Sequence, residues 1–235
     1  MRAIYKRELQ SYLTSMIGCV FIAFFIAIGG LYFMVYNLFN GYTYFSYALY
    51  STTFFMIIGI PMITMKSFAD EKKNKTEQLL MTAPISLTKI VLGKYFAMLT
   101  IFAIPNLVYC VFPLLIKSFG IGYFLVDYSA LLAYYLLGAV FIAVGMFLST
   151  LTESQVIAAI MSFVALYILY MWEALLSFLP FTTIATVLTE YALLSVFDDF
   201  AINRLFNIPG LIAYISVAGV FVFLTIQTLQ KRRWS

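Results

Sequence analysis

Apolar residues run along this chain in long blocks, with no alternation of the kind that a half-buried strand or a surface helix would show. Six blocks, at residues 16–36, 45–65, 95–116, 129–148, 156–176 and 208–229, each have about the 20 residues that a helix needs to cross a bilayer. Such blocks can span lipid only as helices or closed barrels, and their length fits helices. The pattern predicts an all-α polytopic membrane protein with six transmembrane helices, in a single domain over residues 1–235, because no polar stretch is long enough to fold as a soluble module.

The sequence between the blocks predicts three further elements. Residues 1–14 place Ile4, Leu9 and Leu13 among Arg2, Lys6, Arg7 and Glu8, as an amphipathic helix in the headgroup plane would. The first apolar block is long, so it reads as a retained helix and not as a cleaved signal. Residues 177–207 combine Pro180, several Thr and acidic residues with the apolar patches FLPF and YALLSVF, which predicts external re-entrant helices that dip partway into the membrane.

In residues 66–94, Asn74 is followed by Glu77 and then Leu79, Leu80 and Met81, the pattern of a capped helix start. Pro84 would end that helix and Ser86 would cap the next, which runs through Lys89 and Lys94 into the third crossing. A short helix hung below the membrane with apolar and charged groups together suits protein docking. Within the blocks, Pro61, Pro105 and Pro113 predict kinks, and Gly138, Ala139, Ala143 and Gly145 predict close helix approach before a tight return at LTESQ.

Charge sets the orientation. Of 14 basic residues, twelve fall on the side that holds both termini and residues 66–94, while Lys117 and Arg204 fall on the other. By the positive-inside rule that side is cytoplasmic, and the net charge of +4 serves topology and lipid headgroups rather than nucleic acid. The 18 Tyr and 24 Phe read as interfacial belts and helix packing.

The chain has no His, and Cys19 and Cys110 both lie in blocks, so neither a metal site nor a disulfide framework is expected. Catalytic residues are not expected either, for want of a general base beside a nucleophile. The Gly93-Lys94 pair lacks the upstream glycine of a phosphate loop, so ATP hydrolysis by this chain is not expected. The blocks are almost free of ionisable groups, with Glu173 the main candidate for an ion path and snorkelling the plainer role for it. Energy for any transport would come from a partner.

Three segments carry a resemblance to a known family. DEKKNKTEQLLMTAPISLTKIVLGKYFA, GMFLSTLTESQVIAA and the ending FLTIQTLQKRRW resemble, in that order and spacing, the ABC-2 type permeases, the membrane subunits of ATP-driven transporters, and especially their gliding-motility-like bacterial subgroup. The resemblance covers nearly the whole chain. It implies an exporter permease in the bacterial cytoplasmic membrane, paired with a second, identical or different, permease subunit. It also implies ABC ATPase subunits that bind ATP and Mg, with no cofactor in this chain.

In the family the cytoplasmic helix between the second and third crossings fits a cleft of the ATPase, which the resemblance carries to Glu71, Thr76, Glu77, Leu80 and Pro84. On the opposite side, Asp198, Asp199 and Arg204 stand where an external gate or an accessory extracytoplasmic protein would make contact. Two departures leave local backbone geometry open: Lys75 stands where the family commonly has Gly, and FAINRLFN lacks the Gly often found there. A membrane anchor that docks a cytoplasmic ATPase or motility complex without moving a solute is the competing function.

The orientation has a direct check. In a variant without Cys19 and Cys110, a cysteine at Lys73 should resist a membrane-impermeant thiol reagent in intact cells while one at Arg204 reacts. The opposite labelling would reverse the topology.

Overall fold

The computed structural model describes residues 1–75, 86–118, 122–176 and 192–234, and these are helical almost throughout. Helix α1, Arg2–Thr14, stops at Ser15, whose extended backbone turns the chain. The Ser15 hydroxyl then accepts from the Gly18 amide at 3.3 Å, which caps α2, Met16–Phe33. The turn is tight enough that a Cβ at Gly18 would sit 2.1 Å from the Tyr12 carbonyl oxygen. A π-helical segment, Met34–Phe39, extends α2, and the Asn37 amide donates to the carbonyls of Tyr42 and Tyr44 to shape the loop into α3, Ser46–Lys73.

Beyond residue 85 come α4, Leu87–Tyr109, and α5, Val111–Ser118, which meet at Cys110. Then follow α6, Phe124–Leu151, α7, Gln155–Tyr170, and the short α8, Trp172–Leu176. Helix α9, Leu193–Ala201, and the long α10, Ile208–Trp234, complete the described chain.

Among the described residues, five helical stretches are long and apolar enough to cross a membrane: Met16–Phe39, Ser46–Lys73, Leu87–Ser118, Phe124–Leu151 and Ile208–Arg232. The block expected as the fifth of six crossings is divided instead. Helix α7 has 16 residues, about 24 Å at the usual rise per residue. Past the turn at Met171 the chain continues as α8.

Helices α3 and α6 form the centre. Phe102 from α4 fills the space beside them, stacked on Tyr134 and Tyr135 and edge-on to Phe25. The predicted close approach is realised at two glycines: an added Cβ would lie 2.2 Å from the Phe102 ring at Gly138 and 2.5 Å from the Thr64 hydroxyl at Gly145. Helices α6 and α7 form the expected pair of neighbours across the short connection at Thr152, Glu153 and Ser154.

The prolines act differently from one another. Pro61 lies inside α3 without ending it, whereas α4 ends four residues after Pro105. Pro113 sits in the first turn of α5, where a missing backbone donor costs little. The Tyr128 hydroxyl donates to the Cys110 carbonyl at 3.0 Å and serves the backbone at the break.

The start of α3 is capped from another helix. Asp127 of α6, 1% exposed, accepts from the amides of Phe45 at 2.9 Å and Ser46 at 3.2 Å, so a carboxylate meets the positive end of the helix. Within the span expected to hold external re-entrant helices, 177–191 lie outside the described residues. Helix α9 falls in that span and buries Leu193, Val196, Phe197 and Phe200 against the bundle.

Among the described residues, two other than glycine have left-handed backbone, Lys75 and Arg204, both at φ 58°. They fall at the two places where the sequence departs from the expected glycine pattern, so the chain keeps the turn and tolerates the side chain. Left-handed backbone costs an L-residue about 1 kcal/mol or more. Lys75→Gly should therefore raise the thermal unfolding midpoint, by the equivalent of about 1 kcal/mol. Arg204→Gly should gain less, because the Arg204 side chain is bonded to Tyr44. Scanning fluorimetry of the detergent-solubilised variants checks both.

Candidate coupling site at the lysine-rich face

The described residues on either side of 76–85 stand on a buried polar frame. Helix α3 extends eight residues past the expected end of its apolar block, to Lys73, and α4 begins at Leu87. Ser86 precedes α4 as expected, although its side chain makes no capping hydrogen bond. Asn74 closes α3, its amide donating to the Asp70 carbonyl and its side chain to the Asp70 carboxylate at 3.1 Å, and the helix it was expected to open lies outside the described residues. The local reason is that Lys66 to Lys73 continue the helix without a breaker, so the capping side chain serves the helix behind it.

Lys94 is the centre of this frame. It lies in α4 with 2% exposure, and its ammonium donates to the Glu71 carboxylate and to the Ser67 carbonyl, each at 2.8 Å. Glu8 of α1 lies 3.4 Å from the same ammonium. Arg7 closes a ring of four charges, 2.7 Å from Glu8 and 3.6 Å from Glu71. The hydrogen bond to Glu8 raises the Arg7 pKa above its already high ordinary value, so the guanidinium stays charged. The ring is electrically balanced, which a buried lysine requires: removing one partner of such a set typically costs about 3–5 kcal/mol.

A second set of contacts joins α3 to the α6–α7 return. Gln155 donates to Asp70 at 2.7 Å, and Lys72 lies 3.8 Å from Glu153. The Ser149 hydroxyl accepts from the amides of Phe68 and Ala69, each at 3.1 Å, and donates to the Met65 carbonyl. This side chain is wedged against the backbone of α3 near its lysine-rich end. Helix α1 is held there as well, by Tyr12 donating to the Ile63 carbonyl at 3.0 Å and by Ile4 against Gly93. Ile4 and Tyr12 of α1 are thus spent on protein, whereas Leu13 stays exposed and Arg2, Lys6 and Arg7 face outward.

Of the residues the sequence nominated for ATPase coupling, Glu71 lies in the buried ring. Thr76, Glu77, Leu80 and Pro84 lie outside the described residues. Sequence reasoning did not nominate Glu8, Lys94, Ser149 or Gln155. A lysine two turns inside a long apolar helix was the available signal for Lys94. The others are recognisable only once the helices are placed side by side.

At the opposite face the three nominated residues do not form one cluster. The Arg204 guanidinium donates to the Tyr44 hydroxyl at 3.0 Å and lies over that ring at 3.8 Å. Asp199 accepts from the side chains of Asn203 and Asn207, and Asn207 in turn caps the start of α10 at Gly210. Asp198 is half-buried. Burial, with repulsion from Glu173 and Asp199, pushes its carboxyl up to about 6.

No curated protein matches the sequence. The family model described as ABC-2 family transporter protein matches residues 2–225, from α1 into α10. Together with the long apolar helices this makes the chain a multi-pass membrane subunit, of a kind that works with an ABC ATPase and is not itself one. The chain belongs to the ABC-2 family of transporter proteins.

Proposed function

We propose that this chain is the permease subunit of a bacterial ABC exporter, and that residues 76–85 are the segment by which it engages the ATPase. In this reading two permease subunits, identical or different, form the path and two ATPase subunits dock on the lysine-rich face, which is cytoplasmic along with both termini. ATP and Mg are bound by the ATPase. Helices α7 and α8 together make the fifth of six crossings, and the region around α9 dips into the outer leaflet.

The observation that carries the reading is the frame beneath that segment. A docking element transmits motion only if its attachment is stiff, and here both stems are tied by buried charge and hydrogen bonds: Glu71 to Lys94, Asp70 to Gln155 and Ser149 to the α3 backbone. Nucleotide-driven closure of the ATPases pushes residues 76–85. Helix α3, whose far end is held by Asp127, carries the displacement across the membrane. Asp198, Asp199 and Arg204 lie at the far end of that path, where an external gate or an accessory protein would act.

The reading is tested at the segment itself. Glu77→Arg and Leu80→Arg should each weaken co-purification of the cognate ATPase by about tenfold or more, as loss of an interface hot spot does, with membrane insertion unchanged. Unaltered co-purification together with unaltered hydrolysis in the reconstituted complex would reject the assignment.

A further inference from the structure

We infer that the Arg7–Glu8–Lys94–Glu71 ring is a latch that makes α1 move with the stems of residues 76–85, with Lys94 as its positioning residue. The inference rests on the reading of 76–85 as the docking segment and extends the moving unit to an element outside it.

Three separate elements meet at one ammonium. Lys94 belongs to α4, Glu71 to the end of α3 and Glu8 to α1, and each carboxylate reaches the same nitrogen, at 2.8 and 3.4 Å. Glu71 lies two residues before the end of α3, so any displacement of that stem is felt at Lys94 within one helical turn. Glu8 lies in the middle of α1, and Arg7 beside it binds back to Glu71, so α1 grips both members of the stem pair.

Charge makes the grip selective in a way that apolar contact does not. Ile4 meets Gly93 through apolar contact alone, and Tyr12 adds one neutral hydrogen bond to α3. Lifting α1 breaks both the Glu8–Lys94 and the Arg7–Glu71 contacts and leaves an ammonium of 2% exposure with one carboxylate in place of two, so the low-energy motion is for α1 to follow α3 and α4 as one body. Arg7, the exposed member, marks where the ring opens to the aqueous side.

The test avoids the unpaired charge that Lys94→Met alone would leave. In the triple variant Glu8→Gln, Glu71→Gln, Lys94→Met the three inner members of the ring become neutral groups of similar size while Arg7, the exposed member, keeps its charge in water, and insertion and monodispersity should be preserved. In the isolated subunit, amide hydrogen exchange over residues 2–14 should then be about tenfold faster than in the wild type, with the middles of α3 and α6 unchanged. Exchange of α1 as slow as in the wild type would mean that apolar packing alone holds it, and the latch would be overturned.

In the complex with the cognate ATPase, a non-hydrolysable ATP analogue with Mg should change α1 exchange in the wild type severalfold and leave the triple variant unaffected. An indifferent wild-type α1, or a triple variant that still responds, would also overturn the inference. The docking reading fails separately, through Glu77→Arg and Leu80→Arg, so the two failures are distinguishable.

Discussion

Inside a bilayer a backbone carbonyl or amide that loses its helical partner has no water to turn to, and this single constraint organises the bundle. At some starts and breaks a side chain from another helix supplies the missing bond, as Asp127 does for α3 and Tyr128 does at Cys110. Tyrosine also donates to carbonyls within or at the start of neighbouring helices: Tyr12 to Ile63, Tyr95 to Ala139, Tyr109 to Phe25, Tyr135 to Leu99 and Tyr214 to Leu193. Each hydroxyl ends a rigid ring that is itself packed, so one residue gives both apolar contact and a directed bond between helices. The abundance of Tyr is thereby accounted for largely by packing, with no need for a ligand.

The same constraint explains why α3 is the axis of the molecule. Its first amides are met by Asp127, its middle by Tyr12 and Gly145, and its last turns by Ser149, Lys94 and Gln155. Held along its whole length by four other helices, it has little freedom to bend independently. A rigid rod fixed to its surroundings at both ends is suited to carrying displacement from one face of a membrane to the other, as the proposed coupling requires.

Much of this was legible in the residues and some was not, for physical reasons. The apolar blocks, the hairpin after Gly145 and the break after Pro105 follow from local composition, because lipid burial and a missing donor act on neighbouring residues. The length of α3 did not follow: a membrane-thickness criterion ends the helix where charges begin, whereas those charges are paired and the helix runs on to Lys73. The fifth block was read as one crossing because composition is blind to the turn at Met171. The partners of Asp127 and Ser149 lie more than 80 positions away, and the nominated site residues gave no sign of them. Lys75 and Arg204 at φ 58° show the opposite case, in which turns that the family resemblance marks with glycine are made by residues that carry side chains.

The ring around Lys94 also dictates an order of assembly. Glu8 leaves the ribosome early, but its partner is made only after two crossings have entered the bilayer, on the order of ten seconds later at ordinary synthesis rates. During that interval the amino-terminal helix has an exposed apolar side and a carboxylate matched only by its neighbour Arg7, and must rest on lipid or on a chaperone. Docking of this helix is therefore a late event in biogenesis, and a nascent chain truncated before the third crossing presents it as a ready target for quality-control proteolysis.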